Sequence, residues 1–272
     1  MESKIKEMFP EWCNDDIWDK DYELMLTDDI DSLISCALLN EINGYDINYF
    51  YDFQTVYEIN ESDTSAIAID CDLVKGRCWS NHVTMLSKDD TVNSKSANLN
   101  NILKISRDNY FQKFCGSTAM QIWSFYDLPL PQSEEGKMAL LAIDGGYLGH
   151  YDSRFIEIHS RYLNIMGFDE LIEVLERHTK YEFYDIEQKY NMKRKIKLNN
   201  GELETDIDLA GLQGLFNLDL KLPEKEFYVR RELSRDWPTT LYSHKTYTKD
   251  DFIEMFSVAV INKNKVVFTK NK

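Results

Sequence analysis

The chain has 272 residues, 43% of them hydrophobic, and its 47 acidic and 31 basic residues give a formal net charge of −16. That length and apolar content are typical of a folded protein with a sizeable core, and they exclude a disordered chain. The negative charge repels nucleic-acid phosphates and anionic membranes, so we expect neither a long duplex nucleic acid nor a membrane as a partner. A small anionic substrate held through metal ions is compatible with this net charge.

The first predicted elements are a strand, a helix and a second strand. Residues 21–28 turn apolar as a buried strand does, and residues 31–43 carry apolar side chains at helical spacing before Gly44, a residue that often ends helices. The aromatic-rich residues 45–53 and the apolar run before Asp70 are further strand candidates. This order predicts an α/β fold with a mostly parallel sheet and flanking helices, whose ligand site lies at the carboxyl ends of the strands.

Acidic residues gather at two of these strand ends. Asp28, Asp29 and Asp31 lie at the first strand-to-helix turn, and Asp70 and Asp72 end the later run. Asp29 or Asp31 alone could cap the helix that follows, because aspartate is a preferred N-cap residue. Like charges a few ångströms apart repel each other, however, so three acids at one turn favour a bound cation.

The remainder of the chain suggests a second region. Helical patterns occupy residues 115–128 and 168–178, and between them an apolar, strand-like run ends at a further acid, Asp144. Beyond about residue 180 the chain becomes charged and then strand-like, with a terminal hairpin around the sequence NKNK. We predict a metal-binding α/β domain over residues 1–180 and a smaller C-terminal α+β region over residues 181–272 that covers one side of the site.

Cysteine usage and the N-terminus bear on the compartment. The five cysteines form no C-x-x-C pair, and several lie in apolar runs, where cysteine behaves as a small hydrophobic residue. Residues 1–23 lack the apolar segment of a signal peptide, and no stretch approaches the roughly 18 apolar residues of a membrane span. We therefore expect free thiols and a cytoplasmic protein.

The first acidic turn resembles a family motif. The segment LTDDIDS is similar to the first motif of the DHH phosphoesterase superfamily, roughly His-x-Asp-x-Asp-Gly at a strand-to-helix turn. Asp29 and Asp31 match its two acids, whereas Thr27 and Ser32 stand where the family has histidine and glycine. The resemblance implies a DHH-like fold.

Three later segments resemble the other motifs in the same order. AIAIDCD resembles the second motif with Asp70, and LLAIDGG resembles the fourth with Asp144. WSNHVT resembles a degraded third motif, Asp-His-His, with His82 as its histidine; an alternative alignment puts Asn81 in place of the ligand. The similarity covers roughly residues 20–155, and the Gly-Gly-Gly-His motif of the family's usual substrate domain is absent.

The resemblance implies one or two Mn²⁺ or Mg²⁺ ions as cofactors, with Asp70 bridging a pair. Such ions activate water and clamp a phosphoryl oxygen. Loss of the motif histidine at Thr27 makes a single ion an alternative. The implied metal ligands are Asp29, Asp31, Asp70, His82 and Asp144, and Asp70 and His82 are also catalytic candidates. His150, which lies near the fourth motif, is a further catalytic candidate that could contact substrate or act as an acid/base, with a structural role as the alternative.

Two functions follow from these observations. The first is a metal-dependent phosphoesterase that hydrolyses a phosphodiester or phosphomonoester of a short oligonucleotide or small nucleotide. The second is a catalytically inactive relative that binds a protein partner; an origin in a phage or mobile element is open. The basic residues 191–197 could contact an oligonucleotide backbone or form an ordinary solvated face.

Overall fold

A mixed β-sheet flanked by helices organises the chain in the computed structural model, which describes residues 1–14, 22–252 and 254–272 and their side chains except that of Trp237. The strands are β1 (Tyr22–Leu26), β2 (Asp46–Tyr51), β3 (Thr55–Glu58), β4 (Ser65–Ile69), β5 (Arg77–Trp79), β6 (Ser96–Ala97), β7 (Ile196–Asn199), β8 (Glu202–Thr205), β9 (Tyr228–Thr240), β10 (Met255–Asn262) and β11 (Lys265–Asn271). The helices are α1 (Ser3–Lys6), α2 (Ile30–Asn43), α3 (Leu99–Ile102), α4 (Thr118–Phe125), α5 (Glu134–Ala142), α6 (Ile156–Ile165), α7 (Asp169–Arg177), α8 (Lys180–Lys189) and α9 (Leu209–Phe216). Short 3-10 helices cover Glu11–Asn14, Tyr110–Gln112, Ile143–Gly149 and Lys249–Asp251.

The sheet is half parallel and half antiparallel. Its strand order is β10-β11-β9-β3-β2-β1-β4-β5-β6, and β7 and β8 form a separate hairpin. The pairings from β2 through β6 are parallel, whereas those from β2 through β10 are antiparallel. The predicted α/β class is confirmed, but the prediction of a mostly parallel sheet is wrong. The short connection from β2 to β3 explains part of this result, because only antiparallel strands can be joined by so few residues.

Helix α2 begins and ends close to the predicted positions. The Asp29 carboxylate accepts a hydrogen bond from the Ser32 backbone N–H (3.3 Å), and Gly44 adopts a φ of 71° after the last turn. An aspartate N-cap and a left-handed glycine at the end satisfy backbone groups that a helix leaves unpaired. The helix predicted over residues 31–43 is therefore confirmed.

The apolar run before Asp144 forms α5, not the predicted strand. Ser133 caps this helix, since its hydroxyl accepts a hydrogen bond from the Gly136 N–H (3.0 Å). Residues 138–142 are all buried. A helix segment that is buried all round lacks the polar face that distinguishes a helix from a buried strand in a sequence.

The sheet curls until its C-terminal strands face the central ones. The hydroxyl of Tyr51 on β2 lies 2.6 Å from Oγ1 of Thr269 on β11 and 3.4 Å from Oγ of Ser257 on β10. Since β3 and β9 separate β2 from β11 in the sheet order, only curvature can bring these side chains together. The predicted terminal hairpin is confirmed between β10 and β11.

Strand β10 also contacts the loops that follow β4 and β5. Val83 forms a bridge with Val260, and the Val258 N–H donates to the Asp72 carbonyl (3.0 Å). Asp72 follows β4, and Val83 is next to His82 after β5. The C-terminal hairpin therefore fixes the two loops that carry predicted site residues.

Three hydrophobic clusters of the described residues surround the sheet. Leu24 and Leu26 of β1 belong to a large cluster on the helical side, whereas Met25 belongs to a cluster on the opposite face. A third cluster under the C-terminal hairpin includes Val83 and Val266. Strand β1 is thus buried on both faces, as strands in parallel sheets commonly are.

Strands β9–β11 extend the same sheet as β1–β6. The predicted division into residues 1–180 and 181–272 stays a prediction. Across the described ranges, no helix combines the length and the apolar character needed to cross a bilayer.

Candidate metal centre

Three aspartates from distant parts of the chain meet at one edge of the sheet. Asp31 lies in the first turn of α2, Asp70 follows β4, and Asp144 lies in the 3-10 segment Ile143–Gly149. Each offers a carboxylate oxygen, and these oxygens lie within 4.8 Å of one another. We call this group the triad. Asp31 and Asp70 converge because β1 and β4 are parallel neighbours whose carboxyl ends share an edge.

The N-terminus of α4 holds the Asp31 carboxylate. The backbone N–H groups of Thr118 and Ala119 donate to its two oxygens, each at 2.7 Å. Burial raises the pKa of Asp31 well above its usual range, and the charges of Asp70 and Asp144 raise it further. The two N–H groups favour the charged form, so the helix offsets part of that cost.

Sharp turns place the other two carboxylates. Asp70 and Asp144 both adopt a left-handed backbone conformation, with φ of 52° and 56°. That conformation is uncommon for residues other than glycine, although aspartate and asparagine tolerate it better than most. The Thr118 hydroxyl donates to Asp70 Oδ1 at 2.8 Å, so one residue of α4 contacts two members of the triad.

Like charges are concentrated at the triad. Burial raises the pKa of Asp70 well above its usual range, and the charge of Asp29 raises it further. Asp144 lies at the protein surface, but loss of hydration around its carboxylate still raises its pKa. The charge of Asp29 is the second cause and raises this pKa further. A divalent cation would relieve this repulsion, and carboxylate oxygens are the ligands that Mg²⁺ and Mn²⁺ prefer.

Asp29 has partners of its own and is not a member of the triad. One of its oxygens caps α2, and the other lies 3.1 Å from the Lys195 ammonium, which also contacts Asp28 at 2.9 Å. The N-cap alternative for Asp29 is confirmed by this geometry. Its assignment as a metal ligand stays a prediction.

His82 lies within electrostatic reach of the triad and is paired with Asp72. Its Nδ1 is 3.1 Å from Asp72 Oδ2, and Asn98 Nδ2 donates to Asp72 Oδ1 at 2.9 Å. Burial acts to lower the pKa of His82, but the Asp72 contact and the charge of Asp70 raise it to about 9. A carboxylate at Nδ1 is the usual way to orient an imidazole that binds a metal through Nε2. The assignment of His82 as a ligand and catalytic residue stays a prediction.

The positions that depart from the DHH motifs have structural partners. The hydroxyls of Thr27 and Ser32 both donate to the Ile69 carbonyl at 3.2 Å, joining the ends of β1 and β4. In the alternative alignment of the third motif, the Asn81 amide donates to the Gly116 carbonyl at 2.7 Å. The site therefore gains no imidazole at the Thr27 position.

His150 packs among aromatic rings. Its ring centroid lies 5.1 Å from that of Tyr151 and 6.4 Å from that of His159. Burial lowers the pKa of His150, and the charge of Glu176 partly offsets this effect. Its role as an acid/base stays a prediction.

A basic segment, residues 193–197, adjoins the acids. A cavity of about 80 Å³ lies between this segment, Asp29 and Asp144. Four cations of the segment line a groove of about 400 Å³. The Ile196 N–H donates to the Asp28 carbonyl at 2.8 Å, which fixes the segment against the first acidic turn.

Three side chains that contact the predicted site residues, Asp72, Thr118 and Lys195, were not among the predicted metal ligands or catalytic residues. Asp72 carried a local signal, because it stands two residues after Asp70. Thr118 and Lys195 reach the acids from segments far away in the chain, and neither periodicity nor composition predicts such contacts.

Comparison with known proteins yields no relative for this chain. No protein-family model matches it, and neither curated proteins nor solved structures give a significant match. The resemblance to the DHH superfamily therefore depends on the sequence motifs alone and stays a prediction.

Proposed function

We propose that the chain is a divalent-metal-dependent phosphoesterase, related to the DHH superfamily, that hydrolyses a phosphodiester or phosphomonoester of a short oligonucleotide or small nucleotide. The observation that carries this proposal is the triad, whose carboxylate oxygens lie within 4.8 Å of one another. Its members come from the first, second and fourth DHH-like motifs, one from each. A helix cap or a solvated strand end explains any one of these acids, but not their convergence.

The donor set fits Mn²⁺ or Mg²⁺. Asp31, Asp70 and Asp144 supply hard carboxylate oxygens, and Asp72 keeps the ring of His82 oriented. When bound, such an ion polarises a phosphoryl oxygen and acidifies water. Because Thr27 provides no imidazole, we expect a site for one or two ions rather than a fixed pair.

The basic segment supplies the anion-binding side of the proposed site. Its four cations are exposed and line the groove together with Glu204 and Asp206. Three of them also line the small cavity beside Asp29 and Asp144. Lysine and arginine stabilise phosphate oxygens by charge-assisted hydrogen bonds. In a chain with a net charge of −16, such a local group of cations favours a phosphorylated substrate over a neutral one.

A catalytically inactive binding protein is the second candidate. The Lys195 ammonium already lies 3.1 Å from Asp29, so part of the negative charge is balanced by the protein itself. The hydroxyl of Thr27 is bonded to the Ile69 carbonyl. In this alternative, the acidic surface would contact a basic protein partner.

Hydrolysis assays separate the two candidates. We would measure product release from bis(p-nitrophenyl) phosphate and from an end-labelled pentanucleotide, with Mn²⁺ and with EDTA. Asp144→Asn is the test variant, since asparagine tolerates the left-handed backbone at that position. Asp185→Asn, at an exposed position of α8, is the matched control.

We expect Mn²⁺-dependent hydrolysis that Asp144→Asn lowers by more than about 100-fold in kcat/KM, because even the outer partners of metal ligands contribute 10- to 100-fold. The control should keep wild-type activity. Intact Mn²⁺ binding without hydrolysis of either substrate would support the binding protein instead.

A further inference from the structure

A second cleft opens on the other side of Asp144. Its volume is about 420 Å³, and Asp144 and Gly145 form part of its wall. Much of the remaining lining is aromatic or aliphatic, including Phe111, Leu148 and Phe155. A mostly apolar cleft of this size with a few polar groups is typical of a small-molecule site.

Large apolar side chains are exposed in this cleft. Phe111 and Leu148 are 53% and 54% exposed, and the ring centroids of Phe111 and Phe155 lie 6.0 Å apart at an interplanar angle of 31°. Single exposed hydrophobic residues are common on protein surfaces, but here two of them line one cleft beside the partly buried ring of Phe155. Their arrangement presents flat aromatic surfaces to solvent.

One cation lies near each of these two aromatic rings. The Lys263 ammonium lies 5.3 Å from the Phe111 ring centroid, and the Arg154 guanidinium lies 5.0 Å from that of Phe155. Lys113 lines the cleft as well. Aromatic rings combined with cations bind the bases and phosphates of single-stranded nucleotides.

The cleft and the basic segment meet at Gly145. A Cβ atom built on Gly145 would lie 3.1 Å from Leu148 Cδ1 and 3.7 Å from Lys193 Nζ, so a side chain at this position would crowd the boundary between them. Gly145 also has a φ of 67°, which favours glycine. The cleft, the triad and the basic segment are therefore continuous around residues 144 and 145.

From this arrangement we infer that the cleft binds a nucleobase of the substrate, stacked on Phe111, while the attached phosphate lies at the triad. This inference rests on the proposed function and specifies its substrate class as a nucleotide with a base next to the reacting phosphate. Stacking on a phenyl ring tolerates any base, so the site would select for the presence of a base more than for its identity.

The test compares two phosphate esters that differ in the base. Adenosine 5′-monophosphate and ribose 5-phosphate would be titrated calorimetrically into the full chain with Mn²⁺, while inorganic phosphate release is followed in the same samples. Phe111→Ala removes the stacking surface, and Phe111→Trp restores one. Tyr181→Ala is the control, because Tyr181 is a 68% exposed aromatic on α8 with the Lys180 ammonium 5.2 Å from its ring.

We expect adenosine 5′-monophosphate to bind roughly 5- to 150-fold more tightly than ribose 5-phosphate, the range that stacking of one base gives. Phe111→Ala should remove most of that preference, whereas Phe111→Trp and Tyr181→Ala should keep it. Equal affinity for the two esters, or equal losses in Phe111→Ala and Tyr181→Ala, would overturn the inference. Phosphate release without a base preference would overturn it while leaving the hydrolase intact. A base preference without phosphate release would support the inference and exclude only a phosphomonoester as the substrate, because a phosphodiesterase does not cleave these two monoesters.

Discussion

Asp70 illustrates the conflicting demands on a single residue of the triad. It ends a buried strand in a left-handed conformation, accepts a hydrogen bond from Thr118, and lies close to the carboxylates of Asp31 and Asp144. Burial raises its pKa well above the usual range, and the charge of Asp29 adds to this effect. The ionised side chain therefore destabilises the fold, as is common for residues that serve a site rather than the core.

At the residue scale, we predict that Asp70→Asn raises the melting temperature in the presence of EDTA. Asparagine keeps the acceptor for Thr118 and tolerates the backbone conformation, but it removes one of the repelling charges. The expected rise is about 2–4 °C, the change that roughly 1 kcal/mol makes in a chain of similar size. With Mn²⁺ the order should reverse, because only the wild type gains stability from binding the ion. Differential scanning calorimetry measures both conditions.

The same effect has a defined pH dependence. A carboxyl group whose pKa is raised on folding contributes its full stability below the unfolded value of about 3.9, and that contribution is lost as the pH rises through the folded value. The advantage of Asp70→Asn in EDTA should therefore be present at neutral pH and shrink as the pH falls. A lower melting temperature for Asp70→Asn at neutral pH would show that the carboxylate is needed for packing instead.

At the scale of elements, the basic segment 193–197 supplies the positive charge next to the acidic turn. Its backbone is tied to the turn through the Ile196 N–H and the Asp28 carbonyl (2.8 Å), and Lys195 contacts both Asp28 and Asp29. The segment thus places cations where the substrate phosphate is proposed to bind. The same cations attract a phosphate and repel a metal ion at the neighbouring carboxylates.

We predict that Lys195→Met strengthens Mn²⁺ binding and weakens binding of inorganic phosphate, each by about 3- to 10-fold. Removing a partly exposed ammonium at the edge of the carboxylates lowers the repulsion of a metal ion by roughly 1 kcal/mol. Lys225→Met removes the same charge at an exposed position outside the groove and is the control. Weaker Mn²⁺ binding in Lys195→Met would mean that Lys195 holds Asp29 in position rather than competing with the ion. Calorimetric titration of both variants decides between these outcomes.

Local sequence patterns predicted the elements on which the site is built. The strand-to-helix turn at Asp31 and the strand end at Asp70 could be recognised because short apolar runs, an N-cap residue and Gly44 are all local signals. The convergence of the two acids followed from the placement of parallel strand ends. This part of the fold is encoded in adjacent residues.

Other features of the fold have no local signal. Periodicity does not tell whether a strand pairs in parallel or antiparallel fashion, so the prediction of a mostly parallel sheet left out the antiparallel pairings of β2 with β3, β3 with β9 and β9 with β11. A fully buried helix segment resembles a buried strand, as in α5 before Asp144. The partners of His82 and Asp29, namely Asp72 and Lys195, depend on which loops the tertiary fold brings together.

At the scale of the whole molecule, the curled sheet connects the C-terminal strands to the site. Strand β10 bonds to the loops that carry Asp72 and His82, through Val258 and Val260 respectively. The Tyr51 hydroxyl links β2 to Ser257 on β10 and to Thr269 on β11. The position of His82 relative to the triad therefore depends on the C-terminal strands.

The central claim is that the triad holds a divalent ion, and calorimetric titration of EDTA-treated protein with Mn²⁺ at neutral pH tests it most directly. We expect one or two ions per chain for the wild type and for Asp185→Asn. For Asp70→Asn we expect binding at least about 100-fold weaker, because a ligand to the metal is lost. No binding to the wild type at millimolar Mn²⁺, or binding that Asp70→Asn leaves unchanged, would contradict the claim.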